Sequence, residues 1–501
     1  MKTFRMFPIA LLAMLVVNQL PAQSTKPIVA GTPSSVELTI YNADFALIRE
    51  ERIINLAKGF NTVVVPDIPA TIDGTSLHFS SLTEPSAVKV LEQNFQYDLI
   101  HHAKLLEKYL GKEVEFIRYD EATKKEYSVK GKLLSTGWIS QRGAPNQYYF
   151  GGQMVAEING KVEINPSGRL VLPALSEGLI LKPQLAWIVA NTKNGEHTTE
   201  ISYIADQLSW HCDYVALLHS KESKIDLIGW VTLKNNSGTT FNNAGLKLVA
   251  GDVNVVPKEE RYSMMKSVDA VTTEAAQPQF QQKELFEYKL YTLQRRTNLA
   301  NNETKQIELT SGRNIAAKKI FVYDGLTPEW RYWMNNASYR HQGSFGQQSN
   351  TKVGVFVTLK NDEKSGLGIP LPKGKVRVYQ RDDEGKEQFI GEDLIHHTPK
   401  DEEIKLYLGN AFDLVGSRVQ KDFKTVVSGH VYEETFEITL RNHKNETVDV
   451  LVYEHPWRWN QWEIVKTNVD YEKVDQTTIQ FPVRLKKDEK KVITYTIRYS
   501  W

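Results

Sequence analysis

A five-residue phrase that recurs three times constrains the fold more than any other feature of the sequence. It occupies residues 231–235, 357–361 and 438–442 (VTLKN, VTLKN and ITLRN), and a looser copy lies at residues 38–42. Each copy alternates apolar and polar side chains, as a strand with one buried face does, and ends on Asn, a common turn residue. The sequence therefore predicts recurring strands that each turn into a long crossover. The copies are unevenly spaced, which favours a recurring strand arrangement over an array of close repeats.

Most of the remaining chain also has the pattern of strands. Alternation at residues 35–48 and 61–66 predicts strands of a first β unit, and the charged residues 49–52 lie between these two segments. Helical spacing is confined to Leu99, Ala103, Leu106 and Leu110, with Gly111 as a C-terminal stop. We therefore predict a mostly β chain with several antiparallel immunoglobulin-like sandwich units, plus a small barrel-like β module with one short helix.

The length of the chain requires more than one hydrophobic core, since cores stop growing beyond about 250–300 residues. The predicted division is a signal peptide at 1–23, an N-terminal β unit at 24–95, a small β-barrel-like module with a short helix at 96–186, and sandwich domains at 187–330, 331–425 and 426–501. Residues 257–283 are rich in Gln and charged side chains and predict a flexible loop within the first sandwich domain.

The first residues have the pattern of a secretory signal. Lys2 and Arg5 precede an apolar run at 9–17, and small residues follow near Ala22. We therefore predict an exported protein, either periplasmic or at the cell surface. No later segment approaches the ~20 apolar residues that a membrane-spanning helix needs, so no transmembrane helix is predicted.

Charge and cysteine content narrow the function classes. The 61 basic and 60 acidic residues nearly balance, which gives no general attraction to nucleic acid. The single Cys212 excludes an intramolecular disulfide, and its apolar and aromatic neighbours predict a buried thiol. The sequence leaves the oligomeric state open.

Catalytic patterns are sparse in this sequence. It lacks a Gly-rich phosphate loop, a His-Glu-x-x-His segment and a Gly-x-Ser-x-Gly elbow. The adjacent histidines at 101–102 and 396–397 diverge on a helix or strand, so they are expected to be solvated or hydrogen-bonded. His211 and Asp213 have no nucleophile motif beside them, which favours a structural polar contact. No catalytic, cofactor-binding or metal-binding residue is predicted, and a hydrolase with an inter-domain site is kept as an alternative.

Aromatic residues give a better indication of function. Trp457, Arg458, Trp459 and Trp462 follow Pro456 in what should be a loop between strands. As exposed rings beside amides and an Arg, these four are candidates for contact with an envelope protein or a glycan. The alternative is that the rings fill the seam between sandwich units. A similar cluster lies at residues 330–333.

The final residues alternate up to a terminal aromatic, through Ile493, Tyr495, Ile497, Tyr499 and Trp501. Closing strands of outer-membrane barrels share this pattern, so an outer-membrane β-barrel-associated protein is a second alternative. The Lys-rich stretch at 486–491 favours an ordinary last strand of a sandwich.

Three stretches in the second half carry a family resemblance. The sequences LSWHCDY at 208–214, GWVTL at 229–233 and LKLVAGDVN at 246–254 resemble the bacterial domain of unknown function 4139, and residues 288–290, 302–305, 391–393 and 441–444 continue the match. The resemblance covers most of the chain from residue 186 onward. It implies an exported, β-rich protein of the bacterial envelope that is distantly related to mucoidy-inhibitor proteins. The family brings no established catalytic residues.

Together these features predict an exported, multi-domain β protein of the envelope of a Gram-negative bacterium. We expect it to act by binding or scaffolding rather than by catalysis. The loops and strand edges of its sandwich units are the surfaces on which partners would bind.

Overall fold

The computed structural model confirms the predicted fold class. Strands account for 67 % of the structure, and the residues it describes include one short α-helix. The structure describes residues 26–96, 102–140, 148–173, 180, 182–219, 223–251, 253–254, 279–326, 332, 337–339, 341–343 and 349–501. The predicted signal peptide at 1–23 lies outside these residues, as do residues 257–278 of the predicted loop. None of the helices in the described part is long and apolar enough to cross a membrane.

The strands are numbered in chain order. Those that begin before residue 200 are β1 Ile28–Val29, β2 Ser35–Tyr41, β3 Phe45–Leu56, β4 Gly59–Pro66, β5 His78–Ser81, β6 Val88–Gln96, β7 Glu113–Asp120, β8 Lys125–Ser140, β9 Tyr148–Ile158, β10 Lys161–Ile164, β11 Arg169–Val171, β12 Gln184–Asn191 and β13 Gly195–Asp206. The middle strands are β14 Leu208–Leu218, β15 Lys224–Asn235, β16 Phe241–Ala250, β17 Phe280–Leu285, β18 Tyr288–Leu293, β19 Thr297–Leu299, β20 Glu303–Asp324 and β21 Lys352–Lys360. The last strands are β22 Gly374–Arg381, β23 Glu387–Ile395, β24 Glu403–Val427, β25 Val431–Asn442, β26 Val448–Glu454, β27 Trp462–Thr467, β28 Glu472–Asp475, β29 Thr478–Leu485 and β30 Lys490–Ser500. Helix α1 spans His102–Glu107, and three short 3₁₀ helices lie at Gly74–Ser76, Ala337–Tyr339 and Glu363–Ser365.

The small module consists of α1 and a five-stranded antiparallel sheet with the order β10-β9-β8-β7-β11. Ala103 and Leu106 of the helix are buried, and Leu106 packs with Phe116 and Leu133 in a core that belongs to this module alone. The helix ends before Gly111, which has a φ of +75° and so takes the left-handed conformation that glycine adopts without strain. The predicted helical positions before residue 102 lie outside the described residues.

The first sandwich has a four-stranded sheet, β1-β4-β12-β6, and an eight-stranded sheet. The main path of the larger sheet is β17-β18-β16-β2-β3-β13-β5, and β19 pairs with β16 beside it. Residues of both sheets share one hydrophobic core, for example Trp187 of β12 and Ile201 of β13. The charged residues 49–52, which follow the predicted alternating segment, belong to β3, and Glu50 and Arg52 lie on its buried face. The last part of the predicted loop, residues 280–283, belongs to strand β17 instead.

The three phrase strands β15, β21 and β25 occupy the same position in a repeated topology. All lie in a thirteen-stranded sheet whose main path is β23-β22-β14-β15-β20-β21-β24-β25-β30-β27. Each pairs antiparallel with the strand before it, namely β14, β20 or β24. The strand after each phrase crosses over and pairs parallel with a strand one unit earlier, so that β16 pairs with β2, β22 with β14 and β26 with β20.

Consecutive sandwiches share long strands instead of being joined by linkers. Strand β20 has 22 residues; its first part pairs with β15 and its second part with β21. Strand β24 has 25 residues and in the same way joins β21 to β25. The predicted boundary at 425/426 falls inside β24, and the division into separate domains stays a prediction.

The Asn that ends each phrase has a larger role than turn formation. Asn235, Asn361 and Asn442 are buried, with at most 1 % of their surface exposed. Each side-chain Nδ2 donates to one carbonyl of the following crossover and to two carbonyls of the segment that leads into the next long strand. These carbonyls belong to Thr239, Leu299 and Ala300 for the first copy, to Ile369, Thr398 and Pro399 for the second, and to Glu446, Leu485 and Lys486 for the third, at 2.8–3.5 Å. Each Asn thus joins two loops of its sandwich from inside.

Candidate functional site

Two of the four predicted contact residues are buried. Trp457 is 1 % exposed and Arg458 is 0 % exposed, so the expectation that they face a partner is wrong. Arg458 is held by an ion pair with the equally buried Glu434, with Nη2 and Oε1 2.7 Å apart. Its guanidinium also lies over the ring of Trp457, 4.5 Å from the centroid, and over that of Phe423 at 4.9 Å. Trp457 and Arg458 therefore belong to the protein interior and pack under the surface residues near them.

Arg458 also fixes the segment that covers it. Its Nη2 donates to the carbonyl of Gln342 at 2.8 Å and its Nη1 to the carbonyl of Tyr339 at 3.3 Å. A guanidinium is planar and presents its N–H groups in fixed directions, so these bonds set the orientation of the segment. The consequence is that His341, between the two acceptors, lies against the C-terminal strands.

His341 completes an aromatic cluster with Phe423, Tyr432, Trp459 and Trp501. The ring centroids of Tyr432 and Trp501 are 4.9 Å apart, those of Phe423 and Tyr432 5.3 Å, those of His341 and Trp501 5.3 Å, and those of Trp459 and Trp501 6.2 Å. Nδ1 of His341 is 3.2 Å from the hydroxyl of Tyr432. Tyr432 is buried at the centre, His341 is exposed, and the other three rings are partly exposed. Of the four predicted residues, Trp459 is the member of this cluster.

Trp462 lies outside the aromatic cluster on strand β27, where it pairs with Tyr499 of β30. Its indole Nε1 donates to the carbonyl of Gln476 at 2.8 Å, and the ammonium of Lys473 lies 4.5 Å from the ring centroid. Its ring is therefore already engaged by residues of this chain. Of the similar cluster at 330–333, only Tyr332 belongs to the described residues; it is exposed, 6.1 Å from the ring of Tyr339.

A second buried ion pair lies in the core of the same C-terminal sandwich. Nε of Arg418 donates to both carboxylate oxygens of Glu454, at 2.8 and 2.9 Å, and both side chains are 1 % exposed. Tyr495 donates its hydroxyl to Glu454 as well. Burial disfavours the charged guanidinium, but the attraction of Glu454 outweighs this effect and holds the pKa of Arg418 above its usual value. The pair is a structural element, because no side of it reaches the surface.

His211 and His397 make polar contacts, as predicted. Nε2 of His211 is 3.1 Å from Oδ2 of Asp213, which also accepts the hydroxyl of Thr232 at 2.8 Å. Burial of Asp213 raises its pKa, but the bonds from His211 and Thr232 outweigh burial and the pKa is lowered overall. Nδ1 of His397 accepts the backbone N–H of Lys373 at 3.2 Å. Within the described ranges, no group of three or more His, Cys, Asp or Glu residues could hold a metal ion.

We predict that Cys212 resists alkylation in the native protein. The thiol is buried, and burial raises its pKa to about 12, so the reactive thiolate is scarce at pH 8. Incubation with iodoacetamide at pH 8 followed by mass spectrometry should show no labelling of folded protein and full labelling in 6 M guanidinium chloride. Rapid labelling without denaturant would contradict the buried position of the thiol.

Comparison with known proteins does not identify the chain. No family model matches the sequence, and no curated protein sequence matches it significantly. The resemblance to the domain of unknown function 4139 therefore stays a prediction.

Proposed function

We propose that this chain is an exported envelope protein related to the domain of unknown function 4139, and that it binds a protein partner through the aromatic cluster. The proposal depends on the buried residues that hold the rings of the aromatic cluster in place. The fully buried Arg458–Glu434 pair holds the segment around His341 against Trp501. The role is one of binding or scaffolding, without catalysis.

Rigid aromatic side chains are effective contacts because little conformational entropy is lost when they bind. Trp and Tyr are enriched among the few interface residues that carry most of the binding energy. Trp459 and Trp501 are partly exposed and are held by neighbouring rings, so their orientation is set before a partner arrives.

The angles between the rings favour a protein over a glycan. Trp501 is tilted by 44° against Tyr432 and by 52° against both His341 and Trp459. Tilted rings do not share one plane, so a partner would contact ring edges as well as ring faces, which suits the side chains of a protein. A glycan would instead use a flat, open ring face for stacking, and the cluster does not combine its rings into such a face.

The test uses a photo-reactive amino acid at position 459 in the full-length protein, expressed in its own envelope. We expect one protein to be cross-linked, and the purified partner to bind the native chain at least ten-fold more tightly than the variants Trp459→Ala and Trp501→Ala. A factor of ten corresponds to about 1.4 kcal/mol, within the usual effect of a hot-spot residue. Phe389→Ala is the matched control, because Phe389 is an exposed aromatic on β23, outside the cluster.

Two outcomes would overturn the proposal. If Trp459→Ala and Trp501→Ala bind the partner as the native chain and Phe389→Ala do, the aromatic cluster is not the contact. If protein-free envelope polysaccharide retains the native chain but not the two variants, the cluster binds a glycan and not a protein.

A further inference from the structure

The first sandwich has a cavity of about 490 Å³ at the open edge between its two sheets. The β1–β2 connection, the end of β4 and the start of β16 form its walls, and two residues of β3, Glu50 and Arg52, line it as well. This volume is within the range of about 300–1,000 Å³ that is usual for small-molecule sites. The cavity lies in a different sandwich from the aromatic cluster and is independent of the proposed function.

Glu50 and Arg52 form a third buried ion pair, which lies in the first sandwich and lines the cavity. Their neighbours on the same face of β3 are Ile48 and Ile54, both fully buried, and the pair itself is at most 4 % exposed. Burying two charges is costly, and an apolar pair would fill a core as well or better. Because Glu50 and Arg52 line the cavity, a polar ligand there would reach the hydrogen-bonding groups of both.

The hydrogen bonds of the pair leave both donors and acceptors for a ligand. Nε and Nη2 of Arg52 donate to Oε2 of Glu50 at 2.9 and 2.6 Å, and Nη1 donates to the carbonyl of Gly31 at 2.5 Å. Oε1 of Glu50 accepts the hydroxyl of Tyr203 at 2.7 Å. A guanidinium carries five N–H groups and a carboxylate about four acceptor positions, so these four bonds do not use them all. A hydroxyl group both donates and accepts, and it would complement both residues.

The walls of the cavity have the same character. They present hydroxyl and amide side chains, including Thr32, Ser34, Ser35, Thr240 and Asn242. The charges on the lining are Glu50, Arg52 and Asp67, and Asp67 is already paired with Lys182 at 2.7 Å. Because Asp67 is paired with Lys182 and Glu50 with Arg52, these charges balance and give neither an anionic nor a cationic ligand an advantage. We infer that this cavity binds a neutral, polyhydroxylated small molecule, a mono- or disaccharide.

The experiment is saturation-transfer NMR on the full-length protein with neutral sugars (glucose, N-acetylglucosamine and maltose) and charged counterparts (glucuronate and glucosamine). Thr32→Trp places a large side chain in the cavity from an exposed loop position. Ala122→Trp makes the same kind of change in an exposed turn of the small module and is the matched control. Asn242→Ala removes one exposed amide of the wall and keeps the buried pair intact.

We expect at least one neutral sugar to bind the native protein and the Ala122→Trp variant equally. Thr32→Trp should weaken this binding at least ten-fold, Asn242→Ala should weaken it several-fold, and the charged counterparts should bind less well than the neutral sugar. If no neutral sugar binds, or if Thr32→Trp binds as the native protein does, the inference is wrong. Preferential binding of glucuronate or glucosamine would also overturn it. None of these outcomes bears on the aromatic cluster, which is tested separately by the Trp459 and Trp501 variants.

Discussion

Replacing Arg418 by Met should destabilise the C-terminal sandwich by about 3–5 kcal/mol, the usual cost of leaving one charge of a buried pair without its partner. In the native chain, Glu454 accepts two bonds from the guanidinium and one from Tyr495. In the variant only the bond from Tyr495 remains, and the carboxylate stays in the core. Urea unfolding followed by tryptophan fluorescence measures the loss, and hydrogen exchange in β26 localises it to this sandwich.

Two further variants separate the buried charge from a general loss of packing. Arg418→Met combined with Glu454→Gln removes both charges and should be more stable than Arg418→Met alone. Arg498→Met is the surface control, because Arg498 pairs with Glu433 and Glu463 while 39 % exposed, and exposed pairs contribute about 0–1 kcal/mol. If Arg418→Met lowers the free energy of unfolding no more than Arg498→Met does, the buried pair does not stabilise this sandwich.

Replacing the buried Asn of any phrase by Asp should have a comparable effect. Asp has nearly the shape of Asn, but an ionised carboxylate would face three carbonyl oxygens instead of donating to them. We expect Asn235→Asp, Asn361→Asp and Asn442→Asp each to cost about 3–5 kcal/mol at pH 7, the cost of a buried charge without a partner. Asn42→Asp, in the looser copy, is the control; Asn42 is not fully buried, and the change should stay within about 0.5 kcal/mol.

The pH dependence identifies the cause of this loss. Burial among carbonyl oxygens raises the pKa of the introduced Asp above its ordinary value of about 3.9. The folded variant then binds a proton that the unfolded chain releases, so its stability relative to the native chain falls as the pH rises above about 4. Thermal unfolding between pH 4 and pH 7 should show this divergence for the three buried positions. A loss that does not change with pH would attribute the effect to shape alone.

The fold class was predictable because strand alternation is a local signal. In the phrase at 231–235, Val231 and Leu233 are buried and Lys234 is partly exposed, as the alternation predicts, but Thr232 is buried as well. The phrase at 438–442 has the same burial pattern in β25. The parallel pairing of β16 with β2 was not predictable, because it joins segments about 200 residues apart and depends on the tertiary fold.

The candidate site was predictable only in part. The close spacing of tryptophans in the sequence located the candidate site near Trp459. A local sequence pattern does not show which of these rings are covered by segments that are distant in the chain. Arg458 is buried because Glu434, 24 residues away, lies opposite it. The alternation of the strands did indicate that these charged residues are buried. Glu434 lies at every second position with Tyr432 and Phe436, which face the core in β25. Glu50 lies in the same way between the buried Ile48 and Ile54 of β3. A charge that falls on the apolar phase of a strand is better interpreted as a buried pair than as a break.

The shared strands also determine how the two proposed contacts could work together. At about 3.3 Å per residue, β20 and β24 extend for roughly 70 and 80 Å, and each remains paired where it passes from one sandwich to the next. A change of angle between sandwiches would require these ladders to bend or break, whereas a flexible linker would bend freely. The paired strands would therefore act as a stiff spacer between the sandwiches and hold the proposed ligand cavity and the proposed partner surface at a set distance.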